Sequence, residues 1–364
     1  MQKMKLRVAI IFGGKSAEHE VSLKSATNVS NSIDRTLFTP ILLGIDKSGE
    51  WFYNSSYATD DINLADNDYF IEATNVYLSA AENGIHVISK EENRNLASFD
   101  VAFPIVHGTF GEDGTLQGIL KSMNAPFVGP DVLGSAIAMD KDVAKRLLKA
   151  ADIPVAASYT LYKNDPSEYS FEEVVSELGL PLFVKPANAG SSVGVSKVTN
   201  EKEYHAALST AFQFDNKILM EEAVIGKELE CGVLGNENAQ ASVVGEIVTK
   251  DFYSYDAKYV SSTEASLQIP AEIENSMSET IRGLAVKACK VIGCEGMARV
   301  DFLLSNDNKL VLNEINTLPG FTEISMYPKV WKYTGLSETD LITRLITLAI
   351  QRHKRDTNLS VDIK

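Results

Sequence analysis

Two acidic side chains and an amide that could hold a metal ion lie close together between residues 297 and 320. Runs of alternating polarity flank residues 305–309, which favour turns, so the segment is predicted to form a β-hairpin. If Ser305 pairs with Leu310, directly opposed residues share a face. A polar face then carries Arg299, Asp301, Glu314 and Asn316, and the opposite face carries Val300, Phe302, Val311 and Ile315. Carboxylate and amide oxygens are hard ligands that suit Mg²⁺, which keeps some waters and also takes phosphate oxygens.

An alternative for this polar face is a salt-bridged sheet surface that binds nothing. Strands with one solvated face usually carry Lys, Thr and Glu, whereas Asp301 interrupts the otherwise apolar run from Val300 to Leu304. The pattern therefore favours the metal-binding interpretation.

The composition limits the partners that the chain can have. With 364 residues and 45% apolar content, the chain can bury a large core and form two or three domains. The 34 Lys and Arg against 49 Asp and Glu give a net charge of −15, which argues against a nucleic-acid or anionic-membrane surface. Three irregularly spaced cysteines predict no disulfide framework or zinc site and favour a reducing cytoplasm. No apolar run approaches the length of a membrane span.

The N-terminal region reads as an open α/β layer up to about residue 129. A strand at 6–12 leads through Gly13-Gly14 into a helix that begins near Ala17, and this arrangement makes a ligand site at the carboxyl edge of a parallel sheet. Glu18 lies in the first helical turn, where its negative charge interacts favourably with the helix dipole. A more specific interpretation is that Glu18 holds the ammonium group of a substrate.

A second loop is predicted at the same sheet edge. The strand signal at 99–106 runs into the glycine-rich segment 107–114. His107 is either a hydrogen-bonded structural residue or a functional one, and its place in this loop leaves both interpretations open. Residues 54–84 are polar and weakly periodic, which predicts a peripheral segment.

The remaining chain predicts a phosphate flap and a lid. Residues 187–194 are small and lie between two apolar strands, so they belong to a hairpin whose N–H groups and hydroxyls could fold over phosphates, with Lys185 at its base. The strand at 218–222 is followed by an acidic segment that could bind adenine and ribose, and the strands at 229–235 and 242–249 are expected to continue the same sheet. The long loop at 250–268 is rich in Tyr, Ser and Asp and predicts a lid.

Seven motifs together resemble the D-alanine–D-alanine ligase family of the ATP-grasp superfamily. They occur in the family's order and spacing: FGGKSAEHEVSL, PIVHGTFGEDGTLQG, MDKDVAKRLL, VKPANAGSSVGVSKV, DFYSYDAKY, ARVDF and NEINTLPGFTEISMYP. The resemblance implies an α/β, in part α+β, three-domain ATP-grasp fold with ATP held between two sheets. The expected domains are 1–129 for substrate, 130–220 with the flap, and 221–364 with the metal site and lid.

The resemblance also implies a role for individual residues. The ATP-binding positions are Lys141, Lys185, Ser191, Ser192, Val193, Glu221, Glu222, Val224, Glu228 and Lys258. The metal ligands, for two Mg²⁺ ions with Mn²⁺ as a substitute, are Asp301, Glu314 and Asn316. The substrate-binding and catalytic positions are Glu18, His107, Ser191, Lys258, Tyr259, Arg299, Gly320, Ser325 and Met326. Many relatives have lysine at the position of Glu222, so this contact must differ in charge.

The resemblance implies synthesis of D-alanyl-D-alanine for peptidoglycan, by a homodimer. The carboxylate of a first D-alanine attacks the γ-phosphate of ATP, and a second D-alanine attacks the resulting acyl phosphate. The oxyanion formed by this second attack is stabilised by Arg299 and the N–H of Gly320, and closure of the lid excludes water.

Alternatives to this substrate pair and to this reaction are also open. D-lactate or D-serine could be the second substrate, although Tyr259 favours D-alanine. An inactive ATP-binding protein would need an eroded metal face or flap, and a simple kinase or phosphohydrolase would have no use for Glu18, Arg299 and Ser325.

Lys258 gives the first testable prediction. The Lys258→Ala variant should retain its fold and its ATP binding but lose most of its turnover, because the lid would no longer bring a cation to the transferred phosphate. Circular dichroism, nucleotide binding and peptide synthesis test this together. Peptide synthesis near the wild-type rate would contradict it.

Overall fold

The computed structural model describes residues 5–57, 62–64, 68–164, 169–249 and 265–360. The predicted lid lies outside these residues except for its last four positions, which form a short strand. Lys258 and Tyr259 therefore lie outside the described part of the chain.

The first sheet has seven strands in the order β6-β5-β4-β3-β2-β1-β7. The strands are β1 (Leu6–Gly13), β2 (Phe38–Ile45), β3 (Trp51–Tyr53), β4 (Thr74–Ala81), β5 (Gly84–Ser89), β6 (Asn95–Phe99) and β7 (Val101–Pro104). Only β2, β1 and β7 run parallel to one another, and the other pairs are antiparallel. The open α/β layer is therefore extended by an antiparallel half.

Two expectations for this region are wrong. The strand signal at 99–106 divides into β6 and β7, which do not pair with each other. Residues 54–84 are not only peripheral, because β4 lies inside the sheet and buries Val76 completely. The alternation of polar and apolar residues along β4 is weak because both of its faces carry partly exposed residues.

The second sheet has four strands in the order β10-β9-β11-β8. They are β8 (Ser158–Tyr162), β9 (Leu182–Pro186), β10 (Ser196–Val198) and β11 (Lys217–Glu222). Because β9 and β10 are antiparallel neighbours, the predicted hairpin around residues 187–194 is confirmed. We call these residues the flap.

The third sheet has five strands in the order β14-β13-β12-β15-β16. They are β12 (Gly226–Gly235), β13 (Gln240–Thr249), β14 (Ala265–Gln268), β15 (Gly296–Ser305) and β16 (Leu310–Asn316). The expectation that residues 229–249 continue the sheet of β11 is therefore wrong. The chain changes sheets between Glu222 and Gly226, which places a cleft there.

The β15–β16 hairpin has the predicted polar face but a different register near its turn. Arg299 pairs with Asn316 and Asp301 with Glu314, as predicted. Beyond Asp301 the register shifts, so that Leu310 pairs with Leu304 and not with Ser305. The shift is a bulge that places two residues of one strand opposite one of the other. Consequently Leu312, not Val311, joins Val300, Phe302 and Ile315 in the core beneath the hairpin.

Nine helices of the described residues cover the sheets. They are α1 (His19–Ser32), α2 (Thr115–Ser122), α3 (Val132–Met139), α4 (Lys141–Ala150), α5 (Phe171–Leu178), α6 (Glu201–Ala211), α7 (Asn275–Ile292), α8 (Met326–Tyr333) and α9 (Glu338–Thr357). Among the described residues, none of the helices has the length and apolar character needed to cross a membrane.

The terminal helix α9 ties the third sheet to the first. Its apolar side chains, such as Leu341 and Leu345, share one core with β1 and α1. Arg352 is buried, donates hydrogen bonds to the carbonyls of Phe127 and Gly129, and lies 4.7 Å from the ring centre of Phe127. The segment that leaves the first sheet is therefore held against α9.

Replacing Arg352 by methionine tests this tie. The variant keeps the apolar stem but leaves two carbonyls without their guanidinium donor, which should lower the free energy of unfolding by about 2–3 kcal/mol. Urea denaturation measures the loss. The exposed Arg344 of the same helix gives the matched variant Arg344→Met, which should change stability little. Equal losses in the two variants would contradict the role of Arg352.

Candidate functional site

A cavity of about 490 Å³ lies between the second and third sheets, and we call it the inter-sheet cavity. Of the residues predicted to bind ATP, those that line it are Lys141, Lys185, Ser191, Ser192, Glu221, Glu222, Val224 and Glu228. Glu314 of the polar face also reaches its wall. The structure thus gathers side chains that are separated by up to half the chain around one space.

Two lysines share one carboxylate beside this cavity, and of the three side chains Lys185 and Glu221 line it. Lys185 Nζ lies 2.8 Å from Glu221 Oε1, and Lys145 Nζ lies 2.7 Å from Glu221 Oε2. All three side chains are buried. Burial opposes the charge of Glu221, but the two ammonium groups outweigh it and lower the pKa of the carboxyl. Two ammonium groups against one carboxylate give this cluster an excess of positive charge, and Lys185 presents that charge to the cavity, which suits an anionic ligand.

Glu222 has a different environment from its neighbour. Its carboxylate forms an ion pair with Lys309 at the tip of the β15–β16 hairpin, at 2.7 Å, and accepts a hydrogen bond from the N–H of Ala157 at 2.8 Å. The negative charge at this position is thus compensated by a cation of the third sheet. Glu222 also lines the inter-sheet cavity, so the pair links its two sides.

The flap has an unusual backbone. Ser191 and Ser192 have φ values of 51° and 57°, in the left-handed region that non-glycine residues rarely adopt.

Lys141, the first residue of α4, donates from Nζ to the carbonyl of Ala189 at 2.7 Å and lies 3.8 Å from Glu314 Oε2. Lys141 therefore contacts both the flap and the polar face. Val193, in contrast, does not line the cavity.

The polar face is built around one guanidinium, that of Arg299, whose side chain is 17% exposed. Arg299 donates to both oxygens of Asp301, from Nε at 2.8 Å and from a terminal nitrogen at 2.7 Å. Asn316 Nδ2 donates to the same carboxylate at 2.9 Å, and Glu230 Oε2 lies 3.1 Å from Arg299 Nε. Burial opposes the charge of Arg299, but Asp301 and Glu230 outweigh it and raise its pKa. Arg299 therefore stays protonated.

The donor chemistry of the polar face fits a hard divalent cation. Asp301, Glu314 and Asn316 supply carboxylate and amide oxygens. The three negative charges of Asp301, Glu314 and Glu230 exceed the single positive charge of Arg299. Among the described residues, no group of three or more His, Cys, Asp or Glu side chains is arranged to hold a metal. A cation here would need oxygens from a ligand or from water, which is how Mg²⁺ usually binds.

Glu18 lies where three loops meet. A methyl group added at Gly108 would lie 2.9 Å from Glu18 Oε2, and one added at Gly190 of the flap would lie 3.3 Å away. Ser16 donates to the carbonyl of His107 at 2.8 Å, so the two loops do share one sheet edge as predicted. The carboxylate of Glu18 therefore faces both the 107–114 loop and the flap.

His107 is buried and has a defined hydrogen-bonding role. Burial lowers the pKa of its imidazole, against the charge of Glu18, so the ring is neutral. Nδ1 lies 2.9 Å from the carbonyl oxygen of Leu318, which can only accept, so Nδ1 carries the proton. Nε2, 3.0 Å from Ser25 Oγ, then accepts from that hydroxyl. The ring links the first sheet to the segment that follows β16.

The segment that follows β16 brings Gly320 and Ser325 together. A methyl group at Gly320 would lie 2.8 Å from Ser325 Oγ. Ser325 accepts from the N–H of Thr322 at 2.9 Å and precedes α8. The side chain of Met326 is buried and packs in the core against Gly245. Only its backbone remains available at the start of α8.

Three residues at the site were not predicted from the sequence. Glu230 and Lys145 had a detectable signal, since Glu230 shares a strand face with Glu228 and Lys145 lies one helical turn after Lys141. Glu112 accepts from the N–H groups of Gly108 and Leu318, at 2.7 and 3.1 Å. Burial and the charge of Glu18 raise its pKa to about 8. No local pattern could have indicated that contact with residue 318.

Comparisons with known proteins match the chain to one family of ligases. Models of the D-ala D-ala ligase N-terminus and C-terminus match residues 7–130 and 147–347. D-alanine–D-alanine ligase A of Salmonella typhimurium is 53% identical over 360 residues, with 98% of each chain covered. The D-alanine–D-alanine ligase of Oceanobacillus iheyensis is 53% identical over 361 residues, again with 98% of each chain covered.

Solved structures match over nearly the whole chain. The D-alanine–D-alanine ligase of Coxiella burnetii has a TM-score of 0.86 at 36% identity, covering 97% of this chain and 96% of that one. The VanG D-Ala:D-Ser ligase of Enterococcus faecalis has a TM-score of 0.85 at 37% identity, covering 95% of this chain and 100% of that one.

The neighbours Glu221 and Glu222 offer a matched test of the buried charge cluster. Glu221→Gln leaves two buried ammonium groups without a carboxylate, so the free energy of unfolding at neutral pH should fall by about 3 kcal/mol. Glu222→Gln breaks a more exposed pair and should cost less than about 1 kcal/mol. Urea denaturation gives both values.

The effect of Glu221→Gln should also depend on pH. Because the folded pKa of Glu221 is lowered, its stabilisation is present above the ordinary carboxyl pKa and is lost as the pH falls through the folded value. The difference between wild type and variant should therefore shrink in acid. A difference that grows in acid would contradict the assignment.

Proposed function

The chain belongs to the D-alanine–D-alanine ligase family, and from that premise we propose which of its residues carry each step of D-alanyl-D-alanine synthesis. It is an ATP-dependent ligase that joins two D-alanines for the cell wall. The observation that carries the assignment of residues is the junction of the inter-sheet cavity with the polar face at Glu314 and with Glu18 at the flap.

ATP is proposed to occupy the inter-sheet cavity. The excess positive charge of the Lys185, Lys145 and Glu221 cluster supports placement of the phosphates beside Lys185, below the flap with Ser191 and Ser192. The adenine and ribose are assigned to the part of the cavity where the chain crosses between sheets, which is lined by Glu221, Glu222, Val224 and Glu228. In this arrangement the Glu222–Lys309 pair closes the adenine side, and Lys141 lies at the phosphate end.

Two Mg²⁺ ions are proposed to bind at the polar face, held by Asp301, Glu314 and Asn316. When bound, Mg²⁺ would act as a Lewis acid that offsets the negative charge of the transferred phosphate. Asp301 accepts hydrogen bonds from Arg299 and Asn316, so a bound metal ion would have to share the Asp301 oxygens with these two donors. Glu230 would then keep Arg299 oriented and charge-balanced.

The first D-alanine is proposed to bind with its ammonium at Glu18, beside His107 and Ser191, so that its carboxylate attacks the γ-phosphate. The second D-alanine is proposed to bind its carboxylate at Ser325 and the backbone of Met326. Its amine attacks the acyl phosphate, the tetrahedral oxyanion is stabilised by Arg299 and the Gly320 N–H, and phosphate leaves.

Several wider features are also part of the proposal. The domains are assigned to residues 1–129, to the unit that carries the flap, and to the unit that carries the polar face. We place the second boundary after Glu222 instead of at residue 220, because β11 ends there. Lys258 and Tyr259 are assigned to a lid, the protein to the cytoplasm, and the assembly to a homodimer without nucleic-acid or membrane partners, in keeping with the net charge of −15.

D-serine is the second candidate for the acceptor. The likeness to a D-Ala:D-Ser ligase at 37% identity favours testing it, whereas the 53% identity to D-alanine–D-alanine ligases favours D-alanine. Product analysis with each acceptor separates the two.

A single assay tests the proposed function. Incubated with ATP, Mg²⁺ and D-alanine, the protein should form one dipeptide for each ADP and phosphate, and chelation of the metal should stop both. Mass spectrometry of the dipeptide and an ADP assay measure the two products. ATP turnover without dipeptide would contradict the function.

The metal assignment has a matched control within the same hairpin. Asp301→Asn removes a carboxylate from the polar face and should reduce turnover about a hundredfold, by analogy with the loss of other transition-state charge contacts. It should also weaken binding of Mn²⁺ in the presence of ADP, followed by electron paramagnetic resonance. Asp307→Asn, in the hairpin turn, should change neither.

A further inference from the structure

The backbone on both sides of Gly320 is held by side chains from the first-sheet region. Leu318 donates its N–H to Glu112 and accepts from His107 through its carbonyl. Phe321 donates its N–H to Ser25 at 3.2 Å and accepts from Asn28 at 2.7 Å. Four hydrogen bonds therefore fix the peptide groups around Gly320, and none of their side-chain partners belongs to the third sheet.

Glu112 differs from the other three side chains because it binds two turns at once. Oε1 accepts from Leu318 N–H at 3.1 Å, and Oε2 accepts from Gly108 N–H at 2.7 Å. Gly108 is the residue that lies against the carboxylate of Glu18. One carboxylate thus spans from the turn beside Glu18 to the turn that contains Gly320.

The chemistry of this position calls for two acceptors. Both partners are backbone N–H groups, which can only donate, so each oxygen of Glu112 must accept. A glutamine would carry no charge beside Glu18, but its NH₂ group would face one of the two N–H groups. An isosteric amide can therefore hold one turn and must release the other.

We propose that Glu112 is a positioning residue that aligns the Gly320 N–H with the pocket of the first substrate by tying Gly108 to Leu318. This inference rests on the proposed function, in which the Gly320 N–H stabilises the oxyanion of the second step. The first step, phosphoryl transfer from ATP, does not use that N–H. Loss of the tie must therefore slow attack on the acyl phosphate more than its formation.

The Glu112→Gln variant tests this through the ratio of ADP to dipeptide. An acyl phosphate that waits for a slowed second step is hydrolysed by water, so ADP should form in clear excess over dipeptide. The turnover number for dipeptide should fall about tenfold, as expected for a modest displacement of a reacting group, while the KM for ATP stays near the wild-type value. A purely structural role would lower both products together and leave their ratio at one.

Asp113→Asn is the matched control in the same loop. Asp113 also accepts from two backbone N–H groups, those of Phe110 at 2.8 Å and Thr115 at 2.9 Å, but neither lies in the 318–321 segment. Its ratio of ADP to dipeptide should stay near one. If Glu112→Gln does not fold, Glu112→Asp, which keeps the carboxyl group but is too short to span both turns, should show the same excess of ADP.

The outcomes separate the two proposals. A wild-type protein that makes no dipeptide would overturn the proposed function itself. Dipeptide from the wild type, together with a ratio of one in the folded Glu112 variant, would overturn only the inference. The same excess of ADP in Asp113→Asn would also overturn it, because general disturbance of the loop would then explain the effect.

Discussion

A guanidinium that cannot lose its proton, half-buried among carboxylates, organises the centre of this molecule. Arg299 donates to both oxygens of Asp301 and lies beside Glu230, and a charge that is largely removed from water is tolerated only when it is paired. With Glu314 on the same face, the carboxylates outnumber the cation. The excess negative charge is what would draw a divalent cation to this face, and Glu230 would keep Arg299 in place when Asp301 is shared.

Charged side chains are also paired at the inter-sheet cavity, but there the positive charge is in excess. Lys145 and Lys185 share Glu221, and this cluster retains a positive charge inside a protein whose net charge is −15. A nucleotide with its metal ions carries both kinds of charge, and the two walls present complementary partners. The overall acidity of the chain thus leaves recognition of phosphate to a few locally placed lysines.

The substrate side depends on contacts between distant segments. Glu18, His107 and Glu112 lie in loops at one edge of the first sheet, because parallel β1 and β7 end there, and they meet the flap and the segment after β16. Gly108 and Gly190 lack side chains where Glu18 approaches. The proposed active site therefore exists only when all three sheets are assembled.

The sequence by itself determined the local elements and most of the candidate site. Alternation with a period of two placed Arg299, Asp301, Glu314 and Asn316 on one face, and the motifs alone identified the family. The tertiary structure alone decided the bulge beyond Asp301, the move of β12 and β13 into a third sheet, and the contacts of Glu230 and Glu112. Periodicity reports which way a side chain points along its own strand, whereas its partner depends on pairings between residues far apart in the chain.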